Sequence, residues 1–111
     1  DEADLISTGI SAKPAEQVLR LSSLALDAGL PGLVCSPLEI ATLRAALGGM
    51  PRLVVPGIRP SSGGDDQKRT MGPAEALAAG ADILVIGRPI TQAASPAEAA
   101  AAIARQLQAT A

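Results

Sequence analysis

The sequence predicts an α/β fold: about three parallel strands with covering helices, a part of a TIM (β/α)8 barrel. Three observations predict it. Short apolar runs alternate with helical patterns along the whole chain, which means parallel strands joined by helical crossovers. The three runs recur about 20 to 30 residues apart, the size of single βα units. The chain has 111 residues, whereas a complete barrel needs roughly 250. Three parallel strands leave two edges open, so the sheet is expected to be completed by further polypeptide or by another chain. Residues 1–111 are therefore taken as one unit.

In chain order, Asp1 to Gly9 fits one helical turn or a loop. A helix is expected from Pro14, whose missing N–H costs nothing in a first turn. Val18, Leu19, Leu21, Leu24, Ala25 and Ala28 give it an apolar face, and Gly29 is a plausible C-cap. Leu30 to Cys35 reads as a buried strand. Ser36 with Glu39 reads as a capping box for a helix carrying Ile40, Leu43 and Leu47 and ending at Gly48-Gly49. Leu53 to Val55 is the second strand, followed by a polar stretch from Ser61 to Thr70 and a short helix to Ala79 closed by Gly80. Ala81 to Gly87 is the third strand, apolar on both faces and so expected to be covered on both. Thr91 to Ser95 reads as a loop. Ser95, Pro96 and Glu98 open a last helix that runs to about Leu107 and buries Ile103 and Leu107.

Composition excludes several functions. There is no Phe, Tyr, Trp or His, and the net charge is −2. The core must be built of small aliphatic side chains. Base stacking on aromatics is impossible, and a near-neutral chain has no electrostatic case for nucleic acid or an anionic membrane. No apolar run approaches 18 residues, and the acidic start does not suggest a secretory leader. The single cysteine, Cys35, cannot form an internal disulfide and suits a reducing cytoplasm. A zinc centre of the usual ligands and Ser–His or Cys–His nucleophiles are equally out of reach. Lysine chemistry could draw only on Lys13 and Lys68.

Two strand ends stand out. Val55-Pro56-Gly57-Ile58-Arg59-Pro60 and Ile86-Gly87-Arg88-Pro89-Ile90 each carry Gly and Arg beyond an apolar run. Ligands of α/β barrels bind at the carboxyl ends of the strands, and phosphate often binds after the last two. Two forked guanidiniums with nearby amides suit a phosphate. Each residue also has a plainer role open to it. Arg88 could pair with a surface carboxylate, Arg59 with Asp65 or Asp66, Gln67 could be a solvated loop amide, and Pro56 could simply end a strand.

LVVPGIRP followed by GDDQKR, then MGPAEALAAGADILVIGRPIT and SPAEA, together resemble the orotidine 5′-monophosphate decarboxylase family over essentially the whole chain. LVCSPLE resembles that family's sixth strand and the start of the helix after it, which implies that residues 1–111 are the C-terminal part of a single (β/α)8-barrel domain. The resemblance implies a metal-free and cofactor-free lyase that converts orotidine 5′-monophosphate to uridine 5′-monophosphate and CO2. It also implies a cytoplasmic homodimer acting on a small-molecule nucleotide, with no nucleic acid or membrane partner. Gln67 and Arg88 would hold the phosphate, with the Gly87 backbone close by. Arg59 would support the same loop, and Pro56 would line the pocket near the pyrimidine. The family's Lys-x-Asp-x-x-Lys catalytic motif is not in this sequence, so no catalytic residue is assigned within it and the chain alone is expected to be inactive. Two other readings stay open: a related sugar-phosphate decarboxylase or aldolase, and a non-catalytic self-assembling half-barrel.

Overall fold

A computed structural model describes residues 1–11, 13–60 and 71–110. The elements are α1 (Glu2–Ser7), α2 (Pro14–Asp27), β1 (Gly32–Val34), a 3-10 turn (Pro37–Glu39), α3 (Ile40–Leu47), β2 (Arg52–Val55), α4 (Pro73–Ala79), β3 (Ile83–Leu84), α5 (Arg88–Thr91) and α6 (Pro96–Thr110). The strands form one parallel sheet in the order β1-β2-β3. Parallel neighbours need crossovers, and α3 and α4 supply them.

Register decides which side chains share a face. Val34 is level with Val54, and Val54 with Ile83, so these three side chains point the same way. Val55 is level with Leu84 and points the opposite way. The Val55 face is the core: Cys35, Ile40, Leu43, Leu53, Val55, Ile58, Ala76 and Ala81 form one buried cluster there. Leu33, Leu84 and Ile86 pack against its margin. Alternation along each strand therefore sends Leu33, Leu53, Val55 and Leu84 to the helix-covered side, with Cys35 buried just past β1, and leaves Val34, Val54 and Ile83 on the bare face.

That bare face is apolar. Val34 is 74% exposed, Ile83 52% and Val85 49%. The third strand is expected to be covered on both sides, and the structure corrects this: among the described residues helices lie over one side only. The surface area is 7250 Å², against about 5,600 Å² for an ordinary monomer of this mass. The molecule extends 46 × 30 × 19 Å, a slab with one uncovered side.

Several local expectations change. β3 is two residues long, because the chain leaves the sheet early and enters α5, a single turn over residues expected to be strand end and loop. Ser36 does not make a capping box: its hydroxyl donates to Glu39 Oε1 at 2.8 Å and leaves the helix N–H groups alone. α2 presents Val18 and Leu19 to the core, while Leu21 and Leu24 are 55% and 60% exposed, beyond the reach of a sheet that ends at β1. Ser95 caps α6 as expected, accepting the Glu98 N–H at 3.4 Å.

The amino end of the sheet is tied by Arg44. From α3 it donates to the carbonyls of Gly48, Pro51 and Gly80 and to Asp82 Oδ2 at 2.7 Å. Asp82 also accepts the Leu53 N–H at 2.8 Å. These bonds, and the Leu53 N–H above all, hold the Asp82 carboxyl below its usual range. Gly80 sits at φ +121°, and a Cβ there would lie 3.0 Å from Arg44 Nε.

Candidate functional site

The opposite, carboxyl end of the sheet holds the sequence's Gly-Arg pairs. Val55 of β2 and Leu84 of β3 are level with each other, and Arg59 and Arg88 each follow four residues later. Matched strands thus deliver matched cations. Both line one open cleft of about 360 Å³, together with Pro60, Pro89 and Gln92.

The backbone around each arginine is fixed. After β2 the chain turns at Gly57, φ +78°, a conformation that strains any residue with a side chain. Ile58 is then buried and bridges in parallel to Met71, and the Arg59 N–H donates to the Met71 carbonyl at 3.1 Å. Buried Ile58 anchors the turn inward, so its neighbour Arg59 faces out to the cleft. Arg88 opens α5, whose residues Ile90 and Thr91 donate to the Gly87 carbonyl at 2.9 and 3.0 Å. Prolines on the far side of both arginines stiffen the walls.

Neither guanidinium has a carboxylate partner among the described residues, although Arg44 and Arg52 both reach Asp82 at the other end. Two like charges facing one cleft, with no counter-charge among the described residues, repel each other and attract an anion. The plainer role of Arg88, a surface ion pair, finds no partner among the described residues.

The remaining predicted positions fall as follows. Pro56 is exposed just past the end of β2. Gly87 precedes α5 and lines no contact that a Cβ would meet. Gln67 lies outside the described residues, as do Lys68, Asp65 and Asp66. Lys13 is exposed at the start of α2. No group of His, Cys, Asp or Glu that could hold a metal occurs among the described residues. No helix there is long and apolar enough to cross a membrane. Cys35 is buried, and desolvation pushes its thiol pKa up, so it is a poor nucleophile. Gln92 was not singled out from the sequence. Its only signal is its spacing of four from Arg88.

The model of the orotidine 5′-phosphate decarboxylase / HUMPS family matches residues 1–103. The chain belongs to that family. It is 61% identical over 104 residues to the orotidine 5′-phosphate decarboxylase of Gluconobacter oxydans, covering 93% of this chain and 44% of that protein. It is 57% identical over 104 residues to the enzyme of the same name from Chromobacterium violaceum, covering 93% and 42%. The crystal structure of orotidine 5′-phosphate decarboxylase from Lactobacillus acidophilus superposes with a TM-score of 0.80 at 34% identity, over 96% of this chain and 43% of that one. The chain thus spans less than half the length of these relatives. Its open sheet is a partial barrel, and the bare Val34–Val54–Ile83 row is the side that faces the inside of such a barrel.

Proposed function

We propose that this chain is the C-terminal, phosphate-binding part of an orotidine 5′-monophosphate decarboxylase, a lyase that forms uridine 5′-monophosphate and CO2. The observation that carries the reading is the pair of arginines at level strand ends, lining one cleft and without a carboxylate partner among the described residues, in a chain whose family is established. Arg88 grips the substrate phosphate, Arg59 supports it across the cleft, and the Gly87 backbone allows close approach. Pro56, just past the end of β2, borders the pyrimidine. Gln67 is assigned to the same phosphate on the family resemblance alone.

The reacting end lies elsewhere. Loss of CO2 from the ring leaves a carbanion that must be stabilised electrostatically and protonated, work suited to lysine and aspartate side chains. The chain's two lysines are Lys13 and Lys68, and neither forms the family's Lys-x-Asp-x-x-Lys motif. Phosphate binding then contributes at a distance, by fixing the nucleotide and driving closure. The complete protein is read as a cytoplasmic homodimer with no cofactor.

The test is a graft. The matched segment of the Gluconobacter oxydans enzyme is replaced by this chain, and CO2 release from orotidine 5′-monophosphate is measured. Activity with that nucleotide, and not with other sugar phosphates, supports the reading. A folded graft that releases no CO2 contradicts it.

A further inference from the structure

The cleft has a third polar side chain. Gln92 lines it beside Arg59 and Arg88. Its backbone N–H donates to the Arg88 carbonyl at 2.9 Å, one helical turn back, so the two side chains lie along one face. The Gln92 side chain makes no hydrogen bond among the described residues.

A phosphomonoester dianion carries three terminal oxygens, each able to accept more than one hydrogen bond. Two guanidinium forks satisfy part of that capacity and supply the charge. A neutral amide beside them adds a directed donor without adding like-charge repulsion. We infer that Gln92 is a further phosphate-binding residue of this site, donating a side-chain N–H to a terminal oxygen of the phosphomonoester held by Arg59 and Arg88. This rests on the function proposed above and deepens it: three side chains that can donate line one cleft, matching a group with three terminal oxygens and favouring a monoester over a diester.

The experiment uses the graft with Gln92→Leu and Gln92→Glu. KM for orotidine 5′-monophosphate and inhibition by inorganic phosphate are measured between pH 5.5 and 8 (a range set by the second phosphate ionisation near about 6). Gln92→Leu should raise KM about tenfold and weaken phosphate inhibition about tenfold, the scale of one hydrogen bond to a charged group. Gln92→Glu should be worse, and its penalty should grow as pH rises and the phosphate gains its second charge. Unchanged KM and unchanged phosphate inhibition in both variants overturn the inference, as does a loss confined to thermal stability. If the unsubstituted graft is active while both variants match it, only the Gln92 role falls. If the folded graft neither turns over nor binds inorganic phosphate, the functional reading falls with it.

Discussion

Arg44 and Asp82 meet at 2.7 Å at the amino end of the sheet, and that contact joins α3, the start of β2 and the turn before β3. That contact ties the amino end of the sheet; the proposed phosphate site lies at the opposite end. Arg44 is a half-buried donor with four backbone or carboxylate acceptors, and its side chain is 20% exposed. Arg44→Ala should therefore destabilise the grafted enzyme by about 2–3 kcal/mol, because carbonyls of Pro51 and Gly80 lose their donor. KM should not move. Thermal melting alongside kinetics checks both.

The same contact sets an acid limit. The Asp82 carboxyl is held below its usual range, so the unfolded chain binds its proton more readily than the folded one. Its stabilisation is complete above the unfolded value of about 4 and is lost as pH falls through the lower folded value. Asp82→Asn should flatten the fall in stability below about pH 4, read from urea midpoints at several pH values. An unchanged acid slope would remove Asp82 from that role.

Gly57 is the turn that delivers Arg59. Its φ of +78° penalises any side chain, although a Cβ would meet only ordinary contact with Pro37 at 3.7 Å. Gly57→Ala should cost about 1 kcal/mol through backbone strain and raise KM for the nucleotide as Arg59 shifts. Normal stability with normal KM would show that the turn tolerates the substitution.

The bare sheet face gives the clearest packing prediction. Val34 is 74% exposed in this chain, where Val34→Asp would be expected to do little. Inside a closed barrel the same change buries an unpaired carboxylate and should cost several kcal/mol. The melting temperature of the graft with Val34→Asp distinguishes the two cases.

The sequence made the architecture readable where periodicity and punctuation agreed. Pro14, Pro73 and Pro96 each open a helix, and Gly48 and Gly80 each follow one. Arg59 and Arg88 stand out because Gly and Arg both follow an apolar run at two strand ends, and both line one cleft. Other features were not legible. Ile83 and Val85 look like a core strand, yet they are 52% and 49% exposed with no helix over them among the described residues, which no local pattern reveals. Arg44 looks like a solvated helix residue, and its partners lie up to 38 positions away. Gln92 carries no motif of its own, and only the α5 turn brings it beside Arg88.

The central claim is that Arg88 holds the substrate's phosphate. Arg88→Ala in the graft tests it most directly, with kcat/KM for orotidine 5′-monophosphate as the readout. Loss of charge-assisted bonds to a dianion predicts a steep rise in KM and a fall in kcat/KM of about a hundredfold or more, with folding intact. A folded Arg88→Ala enzyme with unchanged kcat/KM would contradict the account.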